Sequence, residues 1–249
     1  MRTFKLTLAY DGTSYSGWQV QPGRVTLQET LERVLAKVTG EAIRVTASGR
    51  TDSGVHALGQ VVSFRSETHL EPDVLHKALN AELPQDMAVL AAVEAAADFH
   101  ATGRAVRKRY EYALDDGPIR DVFGRRYAWH CRWRLDAAAM HRAAQALVGT
   151  HDFSSFETHG SPRETSVRTV FQISVERGQG GRGEKLTLAV EADGFLYNMV
   201  RTIVGTLVEV GRGTQDEAWP AQVLAARQRH AAGQTAPPQG LFLVRVDYD

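Results

Sequence analysis

The apolar residues up to position 94 change period in a fixed order, and that order leaves few folds open. Phe4, Leu6, Leu8 and Tyr10 alternate with polar residues, the pattern of a half-buried strand over 3–10. Leu27, Leu31, Val34, Leu35 and Val38 then recur at helical spacing. Thr26 with Glu29 makes a capping box before that helix, and Gly40 stops it. A strand near 42–48, a turn at GRTDSGVHALG and a strand at 60–66 follow. Pro72 opens a helix over 72–81, and 87–94 reads as a strand. Strand, helix, strand, strand, helix, strand is the split βαβ order of ferredoxin-like folds.

The rest of the chain supplies similar elements without repeating the sequence. A strand at about 105–115, another near 126–132 and a helix at 136–148 come first. Strands at 166–177 and 184–193 form a hairpin around GQGGRG. A helix from Leu196 to Glu209 carries Met199, Ile203, Val204, Leu207 and Val208, and a helix near 217–230 and a strand at 241–248 close the chain. The expected class is α+β: two ferredoxin-like halves, 1–104 and 105–249, with a junction at 96–104. Their antiparallel sheets are expected to form one continuous central sheet with helices on one face.

Several function classes drop out early. With 249 residues the chain can bury a real core, and 43% hydrophobic and 23% charged residues are globular values. The single Cys131 excludes a disulfide framework and a cysteine zinc site. No apolar run reaches the length of a membrane span, and MRTFKLTLAY lacks the continuous apolar core of a signal peptide, so a soluble cytoplasmic protein is expected. The histidines include no HExxH or HxH spacing, and no Walker A sequence is present. GQGGRG at 178–183 fits G-x-G-x-x-G, but a strand-like EKLTLAVEA follows it where a dinucleotide site needs a helix. Ser53 beside Asp52 and near His56 is a set of loop neighbours rather than a triad, and Cys131 has no activating neighbour.

Net charge is zero, yet its distribution is uneven. Residues 100–134 hold nine bases and four acids, a net of +5, while the flanking stretches are acidic. Arg104, Arg107, Lys108 and Arg109 lead the stretch; Arg120, Arg125, Arg126, Arg132 and Arg134 follow. Charge alone is satisfied by a solvated face. The arginine bias also suits bidentate phosphate contacts, which makes this stretch a candidate nucleic-acid surface.

One segment stands apart, ASGRTDSGVHALGQ at 47–60. Gly49 and Gly54 bracket Arg50, Thr51 and Asp52, a turn that lets backbone approach a ligand closely. Arg50 two residues from Asp52 favours the ionised carboxylate, which can serve as nucleophile or general base. An Asp that only caps its own turn satisfies the same pattern.

Gly49 to Ala57 resembles, without departure, the G-R-T-D-x-G-V-H-A catalytic loop of the TruA-type tRNA pseudouridine synthases. The resemblance spans nearly the whole chain. YDGTSYSGWQVQPGRVTLQETLERVL, FHATGRAVRKRYEYALDDG, HDFSSF, GFLYNMVRTIVGTLVEVGRG and AGQTAPPQGLFLVRVDY match the family in order and spacing. It departs from the common pattern at Asn198, where a histidine is frequent, and at Gln234, where a proline is frequent. The acidic residue common before the arginine of ARQRHAAG is also missing.

The resemblance implies a two-halved α+β fold and isomerisation of uridine to pseudouridine at positions 38, 39 and 40 of the tRNA anticodon arm. The base would be flipped out, and no cofactor or metal used. It implies Asp52 as the catalytic nucleophile, acting on sugar, base or a ribose proton, with Arg201 as its ion-pair partner. Tyr110 would stack on the uracil, Arg50 assist flipping and Leu241 cover the pocket. It also implies a homodimer, in which two copies of the basic stretch could build one groove. Reversing Arg107, Lys108 and Arg109 together is then expected to weaken tRNA binding. A noncatalytic RNA-binding module of the same fold is the alternative; a glycoside-type hydrolase would need a second paired carboxylate.

Overall fold

A computed structural model describes residues 1–158, 165–180 and 183–249. The chain divides into two compact units, 1–106 with 242–249, and 107–241.

The first unit holds β1 (Arg2–Tyr10), α1 (Leu27–Thr39), β2 (Thr46–Ala47), β3 (His56–Ser66), α2 (Pro72–Glu82) and β4 (Met87–Ala95). β1 runs antiparallel between β3 and β4, in the order β4-β1-β3. The alternation read in β1 is realised: Phe4, Leu6 and Leu8 are buried, and Phe4 stacks on Phe64 at 5.4 Å. α1 buries Leu27, Leu31, Val34 and Leu35, and the Thr26 hydroxyl accepts from the Glu29 N–H. Gly40 ends the helix at φ 76°, the left-handed geometry that glycine adopts without strain.

The second unit takes in β5 (Ala105–Asp115) from Arg107 onward, then β6 (Trp129–His130), α3 (Ala137–Ala144), β7 (Gly149–Asp152), β8 (Val167–Gly180), β9 (Gly183–Ala192), α4 (Met199–Gly211) and α5 (Trp219–Ala226). Its strands follow the order β5-β9-β8-β7, all antiparallel, with β6 beside β5. The tip of the expected β8–β9 loop, 181–182, lies outside the described residues. α4 is buried on nearly every side, in keeping with a sequence whose charged residues are Arg201 and Glu209 alone.

Four expectations need correction. The sheets are not purely antiparallel: β6 runs parallel to β5. The last strand, β10 (Leu241–Tyr248), runs parallel to β3, with Phe242 opposite His56 and Leu243 opposite Ala57. Residues 242–249 therefore belong to the first unit, although sequence order placed them in the second half. The strands read at 42–48 and 126–132 shrink to residue pairs, β2 and β6. The helices read at 136–148, 196–209 and 217–230 begin later or end earlier. Asn198 at φ 62° delays α4, and Arg227 at φ 49° ends α5.

Candidate active site

Asp52 sits half-buried in the loop that enters β3, and Arg50 beside it is exposed. A second loop of the same unit, between β1 and α1, forms the wall behind it. The Trp18 N–H donates to the Thr51 carbonyl at 2.9 Å, and the Ser53 hydroxyl donates to the Tyr15 carbonyl at 3.1 Å. Asp52 thus lies between two residues bonded to the neighbouring loop. The Val55 N–H closes the turn on the Asp52 carbonyl at 3.1 Å. Gly54 takes φ 77°, so this turn needs glycine there.

The wall admits no side chain at two points. A Cβ on Gly12 would stand 2.0 Å from the Val55 carbonyl oxygen, and one on Gly17 2.9 Å from that of Thr51. Beneath the loop, Tyr10 and Thr51 share a hydroxyl hydrogen bond of 2.8 Å. Gln60 donates to the Gly49 carbonyl at 2.8 Å and accepts from the Ser48 hydroxyl at 2.6 Å. Tyr10 and Gln60 are buried, and burial pushes the Tyr10 phenol up to about 12, so it remains a neutral hydrogen-bonding group. The aspartate therefore stands on a base whose buried polar groups are paired, the condition for a fixed backbone position.

Arg201, Tyr110 and Leu241 lie in the second unit. Arg201 is in the first turn of α4. Its Nε–H donates to the Ala236 carbonyl at 2.7 Å, and its Nη1 donates to Asn198 Oδ1 at 2.7 Å. Asn198 in turn donates to the Thr158 hydroxyl at 3.1 Å. Asn198 was noted only as a departure; its left-handed backbone, which asparagine tolerates, aims the amide at the guanidinium. The segment that receives Arg201 crosses α4 closely, for a Cβ on Gly205 would lie 1.8 Å from the Gln234 carbonyl oxygen. That segment runs on to Pro237, whose carbonyl accepts from the Tyr112 hydroxyl at 2.7 Å, and to buried Leu241.

Tyr110 is buried on β5, edge-on to Phe195 with ring centroids 5.0 Å apart. Strand alternation puts Lys108 on the Tyr110 face, and Arg107 and Arg109 on the other. Those two arginines converge on buried Glu191: Arg107 reaches it at 3.1 Å and Arg109 at 2.9 Å. Arg107 also lies over the Phe171 ring at 4.5 Å. Two of the three cations read as an RNA surface thus carry an acid between them. Elsewhere in the basic stretch, Arg134 joins Arg177 on Asp116, and Arg104 pairs with Asp98.

Cys131 is buried, and burial, with Asp116 and Asp115 adding, pushes its thiol up to about 12. Among the described residues no three His, Cys, Asp or Glu side chains are grouped to hold a metal, and no helix is long and apolar enough to cross a membrane. The residues that sequence reasoning missed form the wall and base of the Asp52 loop: Gly12, Gly17, Trp18, Tyr10 and Gln60. The blocks that hold them, YDGTSYSGWQ and, for Gln60, ASGRTDSGVHALGQ, were legible, but nothing in either says that the first folds against residues 51–55.

A family model described as tRNA pseudouridine synthase matches residues 7–102 and 143–249. The tRNA pseudouridine synthase A of Moorella thermoacetica is 51% identical over 251 residues, covering 100% of each chain. That of Halalkalibacterium halodurans is 48% identical over 243 residues, covering 97% of this chain and 91% of its own. The protein of the same name from Brevibacillus brevis is 46% identical over 248 residues, covering 100% of each.

Proposed function

The chain belongs to the tRNA pseudouridine synthase family, and from that premise we propose that it isomerises uridines 38, 39 and 40 of the tRNA anticodon arm with Asp52 as its reacting carboxylate. As a tRNA pseudouridine synthase it is an isomerase. The observation that carries the reading of Asp52 is the bonding of Thr51 and Ser53 to the loop behind them. A carboxylate so fixed loses little further freedom when it meets a substrate.

The reaction conserves atoms. The bond from N1 of uracil to C1′ breaks, the base turns, and C5 bonds to C1′; C5 loses a proton and N1 gains one. Addition of the carboxylate to sugar or base, or removal of a ribose proton, each begins from ionised Asp52. Arg201 is its charge partner by resemblance, and its donors already held by Asn198 and Ala236 fix the side chain's direction. By resemblance Tyr110 stacks on the uracil and Leu241 gives it apolar cover; both are buried side chains of the second unit. The base must leave its stack to be reached, and exposed Arg50 is the residue to assist. The working protein is proposed to be a soluble cytoplasmic homodimer that uses no cofactor or metal.

The test is to incubate unmodified tRNA with the protein and map pseudouridine by carbodiimide-dependent primer-extension stops. Stops at 38, 39 and 40 are expected. Intact tRNA binding with no stop anywhere would instead indicate a binding module of the same fold.

A further inference from the structure

We propose that His56 is a positioning residue, fixing the Asp52 loop through its ring atom Nδ1. The inference rests on the reading of Asp52 above and adds a residue to which that reading gives no task.

His56 is the first residue of β3, and its side chain is 1% exposed. The Gly12 N–H donates to Nδ1 at 3.1 Å. Asp11 Oδ1 lies 3.2 Å from the same nitrogen, but that carboxylate already accepts from the Thr13 N–H at 2.9 Å and the Thr13 hydroxyl at 2.5 Å. Asp11 thereby caps the short turn Gly12–Ser14 and orients the Gly12 N–H, which leaves Nδ1 as an acceptor. The other side of the ring stacks on Phe242 of β10, centroids 4.7 Å apart and planes 22° off parallel.

His56 is therefore a further tie to the loop after β1, beside those at Thr51 and Ser53. It differs from them in being anchored in regular structure, at the head of β3 and opposite Phe242. The other two join loop to loop. Gly12 and Val55 touch backbone to backbone, so a shift of Gly12 is passed directly to the turn that holds Asp52. A buried histidine that accepts a hydrogen bond could be ordinary core. What marks this one is that its bond terminates on the glycine that abuts the reactive loop.

The test uses the geometry of the ring. In His56→Asn the amide oxygen falls where Nδ1 lies, and in His56→Gln the polar group falls one atom farther out. Single-turnover pseudouridine formation, tRNA Kd and amide hydrogen exchange at 50–55 are measured for wild type and both variants. H56N is expected within about threefold of wild type, and H56Q about 100-fold slower at unchanged Kd, the loss a misplacement near 1 Å produces. Exchange at 50–55 is expected to rise in H56Q and not in H56N. Equal rates for the two variants, or a loss confined to Kd, would overturn the assignment. Should H56Q fail to fold, Asp11→Ala loosens the same turn without emptying the core. It must show the same slow turnover, and wild-type turnover in D11A would overturn the assignment. If wild-type protein forms no pseudouridine, the function reading fails, and the exchange at 50–55 still decides the role of His56.

Discussion

Gly12 and Val55 meet backbone to backbone, so closely that a methyl group on Gly12 would stand 2.0 Å from the Val55 carbonyl oxygen. The contact welds the loop after β1 to the turn that carries Asp52. Gly12→Ala must push the two apart. The expected outcome is a fall in turnover of about 100-fold with a stability loss of about 1–3 kcal/mol. Turnover and urea unfolding check it together, and an unchanged rate would show that the loop tolerates the shift.

Gly205 stands in the same relation to the segment before β10. A Cβ there would reach within 1.8 Å of the Gln234 carbonyl oxygen, two residues before the carbonyl that holds Arg201. Gly205→Ala is expected to slow turnover at near-wild-type tRNA affinity. Arg201→Lys should do likewise, since lysine cannot donate to Ala236 and Asn198 in the geometry of a planar guanidinium. Equal losses in affinity and rate would assign Arg201 to RNA binding instead.

The basic stretch now divides into two parts with different expected behaviour. Glu191→Gln leaves Arg107 and Arg109 without the acid between them, and should cost about 1–3 kcal/mol of stability. The lower part of that range is favoured, because both arginines keep contact with water. Lys108 lies on the opposite face. Lys108→Ala is expected to lower the slope of log K for tRNA against log salt by about 1. Reversing all three charges together would mix the two effects, so a fall in binding by that triple variant would not identify a phosphate contact.

Much of this was legible in the sequence, for identifiable reasons. β1 and α1 declared themselves because burial on one face imposes a period that the residues must follow, and α2 through the proline that opens it. The GRTDSGVHA block marked Asp52 as the candidate reacting residue. What was not legible is where segments far apart in the chain meet. Phe242 opposite His56 and Glu191 between Arg107 and Arg109 are such meetings, and neither leaves a local pattern. The short strands β2 and β6 were over-read because apolar runs alone do not fix strand length. Ile43 and Val45 are buried without lying in the ladder.

Asp116 should set part of the acid response of the second unit. Burial works against its carboxylate, but hydrogen bonds from Arg177 and the Leu135 N–H, with Arg134 nearby, outweigh it and hold the pKa below the usual range. A lowered folded pKa contributes stability above the unfolded value, about 4, and that stability is lost as pH falls through the folded value. Asp116→Asn is thus expected to lower stability near neutrality, by about 3 kcal/mol, and to flatten its decline below about pH 4. Chemical unfolding across pH 2–7 (about five values) reads both; parallel curves for variant and wild type would contradict the assignment.

The central claim is that Asp52 performs the chemistry at a uridine. Its direct test is tritium release from [5-³H]uridine-labelled tRNA, with wild type, Asp52→Ala and Asp52→Asn compared at matched tRNA occupancy. Release by the wild type and none by either variant, with tRNA binding retained in all three, is the predicted result. Release by Asp52→Ala at a rate comparable with wild type would contradict it.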